Sequence, residues 1–210
     1  MIARLIRIFF AVTFSLATTA LFAQEDFSAD MVNLEQGKQN ATGKVYVTKD
    51  KMRFEMLGQN GHSAIMIMNF ATKTGTVLMP ERKMYMEMTA GQQGPAAQRT
   101  WAFFRPADAA DACSAWQKMA TRPGGECHKI GSEVVNGRST AEYEVKSADG
   151  DVGHVWLDSA IVFPVKWEGK NSKGELQNIK TGAQPSSMFE IPAGYQKFQM
   201  PAGMPNMPNH

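Results

Sequence analysis

The sequence predicts a mainly β protein, a single domain in which a largely antiparallel sheet is accompanied by one or two helices. Short runs rich in Val, Ile, Tyr, Phe and Met alternate with polar residues, as strands with one buried face do. Gly, Asn, Asp and Lys separate these runs over short distances, which is typical of antiparallel neighbours. One stretch of helical periodicity interrupts the strands. With 43% apolar and 10% aromatic residues among 210, the chain has enough apolar side chains for a core.

Eleven strands follow from this alternation. They are predicted at residues 27–37, 41–50, 51–59, 63–72, 75–82 and 83–88, and then at 128–137, 138–147, 153–160, 164–171 and 176–182. Because the connections are short, strands that are adjacent in the sequence are expected to be adjacent in the sheet.

The predicted helix covers residues 106–122. Apolar side chains recur there at helical spacing, namely Ala109, Ala110, Cys113, Trp116 and Ala120. Acidic residues lie near its start and basic residues near its end, which suits the helix dipole, and two glycines follow it. We expect its apolar face, with Trp116, to pack against the sheet.

Cys113 and Cys127 are the only two cysteines in the chain. In an oxidising compartment, such a lone pair is most simply a disulfide. A redox or metal-binding pair is the alternative, and His128 is adjacent to Cys127, but the spacing is not that of a CxxC motif. The disulfide would tie the helix to the strand that begins near His128.

The N-terminus has the features of a secretory signal peptide at residues 1–23. Arg4 and Arg7 precede an apolar run, and Ala23 ends that run before a polar segment. A membrane anchor is the alternative, but the run is short for a span of ~20 residues and no basic residues follow it. We expect cleavage after Ala23 and a periplasmic or secreted protein that keeps no transmembrane anchor.

The charge balance argues against a nucleic-acid partner. Without Arg4 and Arg7, 20 basic residues are matched by 20 acidic residues. Binding to a phosphate backbone requires a clustered excess of Lys and Arg.

Two segments are predicted to lack regular structure. Residues 89–99 contain Gly and Pro and no apolar period, so they are predicted to form a loop. The tail at 199–210 is rich in Met and Pro and is predicted to be disordered. The single domain is therefore expected to span residues 24–198.

Three strands carry methionine at every second position. The methionines at 52–56, 66–68 and 84–88 share one side of each strand, and in the first and third strands the other side is polar and is expected to face water. Met is unbranched and polarizable, and it adapts to guests of different shapes. We therefore predict a hydrophobic pocket for a flexible ligand such as an acyl chain. The predicted ligand-binding residues are Met52, Phe54, Met56, Met66, Met68, Met84, Met86, Met88, Trp101 and Trp116.

Two other interpretations of the methionines remain open. The strand methionines would fill an ordinary core just as well. Thioethers also bind Cu(I), and the spacing of Met200, Met204, Met207 and His210 forms a loose ligand string, so copper handling or oxidant scavenging is a further hypothesis.

The order of several motifs resembles that of a known group. FSADM, GKVYVTKDKMRFEM and MPERKMYMEM are followed by VWLDSAIVFPVKWE and LQNIKTGAQPSSMFEIPAGYQKF. This order resembles a secreted bacterial family of unknown function within the lipoprotein-carrier superfamily, the group of LolA and LolB. The resemblance covers nearly the whole mature chain. Its most specific matches are Trp156, Leu157, Asp158, Phe163, Pro164, Phe189 and Pro192.

The resemblance implies a strongly curved antiparallel sheet that forms an unclosed barrel covered by helix. In the carriers, a hydrophobic cavity inside this barrel accepts lipoprotein acyl chains. The methionines would line that cavity, and the helix at 106–122 would be part of its lid or plug. Lys49-Asp50-Lys51 replaces the carriers' basic residue ahead of a proline, so their ligand chemistry is not transferred.

No catalytic motif is present in the sequence. The four histidines have no HExxH spacing, and neither GxSxG nor a phosphate-binding glycine loop occurs. We expect a non-enzymatic protein without a cofactor or bound metal, which carries or senses a lipid or acyl chain. A structural or interaction module of the cell envelope, which docks a partner protein and binds no ligand, is the second hypothesis.

Overall fold

The structure of the chain, a computed structural model, describes residues 25–34, 40–57, 63–89, 111–117, 124–170 and 172–198. Several predictions concern residues outside these ranges. They are the signal peptide at 1–23, all but the first residue of the loop at 89–99, Trp101, and the tail at 199–210.

Twelve strands are present in the described chain, and eleven lie where the alternation predicts. They are β1 (Phe27–Asn33), β2 (Asn40–Val47), β3 (Lys51–Leu57), β4 (Ser63–Asn69), β5 (Thr74–Met79), β6 (Met84–Thr89), β7 (Glu126–Val135), β8 (Arg138–Lys146), β9 (Val152–Asp158), β10 (Phe163–Gly169), β11 (Ser172–Thr181) and β12 (Gln196–Lys197). One α-helix, α1 (Ala112–Gln117), and 3-10 turns at Pro80–Arg82 and Ser186–Phe189 complete the described elements. The two-residue β12 is not predicted, because so short a strand shows no alternation.

All twelve strands belong to one sheet, in the order β12-β6-β5-β4-β3-β2-β1-β11-β10-β9-β8-β7. Every neighbouring pair is antiparallel except β12 with β6. β1 pairs with β2 on one side and with β11 on the other, so it joins the N-terminal half of the sheet to the half formed by β7 to β11. We call β1 the seam of the sheet. The end strands β7 and β12 do not pair with each other within the described residues, so the sheet is not closed into a barrel. The predicted mainly β fold with an unclosed sheet is confirmed.

The main core crosses the seam of this sheet. Its fully buried members include Phe27 of β1, Val45 of β2 and Phe163 of β10. The rings of Phe27 and Phe163 meet edge to face, with their centroids 5.2 Å apart. Because β1 and β10 come from distant parts of the chain, this ring contact holds the two halves of the sheet together.

The β7–β8 hairpin bends back over its own sheet. Asn136, in the hairpin turn, donates a hydrogen bond from Nδ2 to the carbonyl oxygen of Leu176 on β11, at 3.1 Å. Two strands separate β8 from β11 in the sheet. Three strand spacings amount to roughly 14 Å in a flat sheet, so this hydrogen bond requires strong curvature at this end.

Helix α1 packs on the β7–β9 end of the sheet. Ala112 and Trp116 are buried against Tyr143, Val155 and Leu157. The Trp116 and Tyr143 rings meet edge to face at 5.4 Å. The prediction that the apolar helix face contacts the sheet is therefore confirmed for these six residues, and the rest of the predicted helix at 106–122 lies outside the described residues. A helix covering the whole hollow stays a prediction.

The predicted disulfide is present. Cys113 of α1 is bonded to Cys127 of β7, with a Cα–Cα distance of 5.4 Å. Cys127 is also buried in the cluster that holds the helix. The disulfide and the apolar contacts therefore fix α1 to the same strands.

Replacing both cysteines with serine should lower the free energy of unfolding by about 3 kcal/mol, the chain-entropy contribution expected for a short loop. The bond closes a loop with a sequence separation of 14. Urea unfolding of the double variant and of the oxidised wild type measures the difference. Reduced wild type serves as the control and should match the double variant. Equal stability of all three proteins would contradict the prediction.

The side of the N-terminal half-sheet that was predicted to face water carries a second, smaller core. Ile67 and Leu78 are buried there against Phe189, which the C-terminal segment brings across β3 to β5. Arg53 is only 9% exposed. Its guanidinium donates to the carbonyl oxygen of Met188 at 2.8 Å and to the carboxylate of Glu55 at 2.8 Å. The expectation of a fully hydrated face is therefore wrong in this region, because the C-terminal segment covers it.

Candidate ligand-binding face

Cross-strand register brings the methionines of β3 and β4 to one side of the sheet. Met52 of β3 lies opposite Met68 of β4, and Phe54 lies opposite Met66. Side chains on alternate strand positions share a face, and directly opposed residues point the same way. The alternation that was visible in each strand separately is thus continuous across the pair.

The same side of the sheet continues through β5 to β6. Met66 lies opposite Val77 of β5, and Val77 lies opposite Met86 of β6. Met79 is the direct partner of Met84. We call the resulting surface the methionine face. It consists of Met52, Phe54, Met56, Met66, Met68, Met79, Met84, Met86 and Met88.

Burial decreases across the methionine face from its centre to its edges. Met52 and Met68 are 0% and 1% exposed and belong to the main core. Met84, Met86 and Met88 on β6 are only half-buried, and Met56 is 41% exposed. The central methionines therefore pack as core, whereas the outer ones keep thioether surface accessible.

This arrangement offers apolar contact and little else. A thioether is a weak hydrogen-bond acceptor and carries no charge, so the face recognises shape and hydrophobicity. Methionine side chains rearrange at low cost, because they have three soft torsions and no branch. The accessible part of the face suits a flexible apolar guest. Contact with a ligand stays a prediction for all the residues of this face.

Trp116 lies apart from the methionines. It belongs to the α1 cluster at the β7–β9 end of the sheet. Register nevertheless places that cluster on the same side as the methionine face, through Met31 opposite Leu176 and Trp167 opposite both Gly174 and Val155. The structure therefore does not bring Trp116 together with the predicted methionines, but it does place the helix on their side of the sheet.

The turn between β9 and β10 is held by a buried carboxylate. Asp158 is 2% exposed and accepts hydrogen bonds from the backbone N–H groups of Ala160 at 2.8 Å and Ile161 at 3.2 Å. Its other oxygen pairs with the guanidinium of Arg138 on β8. Val162 in the same turn has a φ of 49°, which is unfavourable for a β-branched residue. The contacts of Asp158 hold this strained turn in place.

A row of charged side chains lies on β8 to β11, beside Trp156 of the main core. His154 Nδ1 is 3.1 Å from Glu142 Oε1, and Lys166 Nζ lies 3.8 Å from the centre of the Trp156 ring. Burial alone raises the pKa of Glu168, but Lys173 and Lys166 outweigh it and hold that pKa below its usual value of 4.5. This row was not singled out from the sequence, although the alternation of Glu142 with Tyr143 indicates an outward carboxylate.

The described residues contain no group of three or more His, Cys, Asp or Glu side chains that could hold a metal ion. No helix in the described ranges is long and apolar enough to cross a membrane.

These features define an open, largely antiparallel sheet with an apolar methionine face and one short helix fixed by a disulfide. No family model matches the chain, and no curated protein matches it in sequence. Several solved structures are similar to it in fold. An uncharacterized conserved protein from Thermus thermophilus is similar with a TM-score of 0.55 and 7% identity, over 84% of this chain and 91% of that one.

Other solved structures share less of the geometry. The MucA/MucB complex of Pseudomonas aeruginosa matches with a TM-score of 0.39 and 14% identity, over 82% of this chain and 57% of that chain. A putative outer membrane lipoprotein-sorting protein domain from Vibrio parahaemolyticus matches with a TM-score of 0.24 and 11% identity, over 78% and 89%. At 7% identity, the likeness to the Thermus thermophilus protein concerns the fold alone.

Proposed function

We propose that this chain is a periplasmic binding or carrier protein, without catalytic activity, for a hydrophobic ligand such as a lipid or a lipoprotein acyl chain. The observation that carries the proposal is the methionine face, in which thioethers from four strands share one side of the sheet. Their burial decreases toward β6, where Met84, Met86 and Met88 remain half-buried. Apolar surface that stays accessible at a sheet face marks a site for a partner or a ligand.

Met is also the side chain that suits a ligand of variable shape. A face built from Val and Ile would be rigid at χ1, whereas Met adjusts its torsions to a flexible chain. Burial of each methylene of an acyl chain contributes about 0.8 kcal/mol. Contact with about ten methylenes would therefore contribute roughly 8 kcal/mol before the cost of association is subtracted, without any hydrogen bond.

The proposal predicts that delipidated protein binds a fluorescent fatty acid and that Met86→Asp weakens this binding at least about tenfold, a loss of ~1.4 kcal/mol. The reason is that a carboxylate in an apolar site must be desolvated or must exclude the ligand. Fluorescence titration measures the dissociation constant. Met86→Leu, which keeps the site apolar, should bind within a few-fold of wild type.

Thr76→Asp is the matched control, because it places the same charge on the opposite side of neighbouring β5, where Thr76 pairs with Ile67 and Glu87. Circular dichroism and thermal unfolding check that each variant is folded. If Met86→Asp binds the probe as tightly as Thr76→Asp, the methionine face is not the site.

An interaction module that docks a partner protein is the second candidate. It is favoured by β7, an end strand of the sheet on which Ile130 is 50% exposed and Val134 is 66% exposed. An end strand with apolar side chains can accept a strand from a partner. Under this hypothesis a partner protein co-purifies with the native chain, and mass spectrometry finds no bound lipid.

A further inference from the structure

A cleft of about 350 Å³ lies across the seam of the sheet, on the side opposite the methionine face. Register explains its composition. Ser28 of β1 lies between Tyr46 of β2 and Lys180 of β11. Further along the same side of the strand, Asp30 of β1 lies opposite Lys44 of β2. We call this site the polar cleft. Its polar lining residues are Ser28, Asp30, Lys44, Tyr46, Asn178 and Lys180, and Ala29 and Ile179 complete the lining.

A bulge shapes the β11 side of the polar cleft. The pairing of β1 with β11 shifts register between Ser28 and Asp30, and Asn178 has a φ of 52° at this point. Bulges redirect side chains and increase local twist. The redirected Asn178 amide donates from Nδ2 to Asp30 Oδ2 at 2.8 Å.

The acidic side chain of the cleft has partners within the protein. Asp30 receives the Asn178 hydrogen bond on one oxygen, and its other oxygen is 3.7 Å from the ammonium of Lys44. By contrast, the hydroxyls of Ser28 and Tyr46 and the ammonium of Lys180 have no hydrogen-bond or ion-pair partner among the described residues. Of these groups, the ammonium of Lys180 can only donate, and the two hydroxyls can donate as well as accept.

The charges agree with this interpretation. Lys44 and Lys180 outweigh Asp30 by one formal positive charge. The donors form a row across three neighbouring strands, in which the long side chains of Tyr46 and Lys180 flank the short side chain of Ser28. A tetrahedral oxyanion offers acceptors in several directions, whereas a carboxylate offers two coplanar oxygens.

We propose that the polar cleft binds a phosphate group. Lys180 and the hydroxyls of Ser28 and Tyr46 donate to its oxygens, and Lys44, held by Asp30, adds a second positive charge. The cleft is open to solvent, so the phosphate can be that of a soluble phosphate monoester or of a lipid head group. The site is independent of the methionine face, which lies on the other side of the sheet.

The test is an NMR titration of the ¹⁵N-labelled full chain with glycerol phosphate at constant ionic strength. Wild type should show saturable shifts of the amides of β1, β2 and β11 around the cleft. Lys180→Gln should weaken binding at least about tenfold, because it removes a charged donor, and Lys180→Arg should largely preserve it. Met86→Asp should leave this titration unchanged, which separates this proposal from the lipid-binding one.

Lys129→Gln is the matched control, since it removes the same charge from exposed Lys129 on distant β7. The proposal is overturned if wild type shows no saturable shifts, or if Lys129→Gln and Lys180→Gln weaken binding equally. Co-sedimentation with phosphatidylcholine vesicles, with and without phosphatidic acid, assigns the source. If vesicles that contain phosphatidic acid capture the wild type but not Lys180→Gln, the ligand is a lipid head group. If the wild type binds glycerol phosphate but is not captured by these vesicles, the ligand is soluble.

Discussion

Replacing Asp158 with alanine is expected to lower the free energy of unfolding by about 4 kcal/mol, the usual cost of breaking a buried ion pair from one side. The carboxylate is 2% exposed, and it holds Arg138 together with the N–H groups of Ala160 and Ile161. Removing it leaves the guanidinium and two backbone donors without their acceptor, and it releases the turn that contains Val162. Chemical denaturation, read by tryptophan fluorescence, measures the loss.

Two further variants test the cause of this loss. Asp158→Asn keeps an oxygen acceptor for the backbone donors and loses only the charge, so a smaller loss of about 2 kcal/mol is expected. Asp151→Ala removes a carboxylate whose ion pair with Lys170 is exposed, and it should change stability by less than about 1 kcal/mol. A loss for Asp158→Ala no greater than that for Asp151→Ala would contradict the assigned role.

Phe27→Ala is expected to cost about 4 kcal/mol, because it empties a large volume in a core that cannot fully collapse. Phe27 is 0% exposed and meets Phe163 edge to face across the seam. The cavity would therefore open where the two halves of the sheet join. Equilibrium unfolding in urea gives the free energy, and hydrogen exchange at β1 and β11 should increase together.

Two control variants test whether the loss of stability comes from the buried volume that Phe27→Ala removes. Phe27→Leu keeps most of the volume and should cost less than about 1.5 kcal/mol. Phe198→Ala deletes the same side chain at a position that is 38% exposed, and a change within about 0.5 kcal/mol is expected. If Phe27→Ala is as mild as Phe198→Ala, the seam does not depend on this ring.

Features that depend on local alternation could be predicted from the sequence. Met84, Met86 and Met88 share a side because strand side chains repeat every second residue, whatever the strand pairs with. The disulfide was predictable because Cys113 and Cys127 are the only candidates. Asp158 was predictable as a ligand of backbone groups at a strand exit, because short acidic side chains favour that role.

Features that depend on distant partners could not be predicted. Arg53 alternates like an outward residue, and its burial depends on the carbonyl oxygen of Met188, which is 135 positions away. The sequence of β4 did indicate a second core, because Ile65 and Ile67 make the side of β4 opposite its methionines apolar as well. The polar cleft depends on a bulge at Asn178, and a one-residue shift of register leaves no mark on apolar periodicity.

The seam strand also bears on the order of folding. β1 leaves the ribosome early, yet its partner β11 is among the last strands to be made, and Asp30 and Asn178, bonded across this pair, are 148 positions apart. Pairings so remote in sequence close slowly, because the entropy of a long loop must be lost before the contact forms. Until β11 has been synthesised, the backbone groups on one edge of β1 have no strand to pair with, and the two halves of the sheet cannot pack together. Nascent chains of this protein should therefore stay unfolded longer than those of a protein built only from consecutive hairpins.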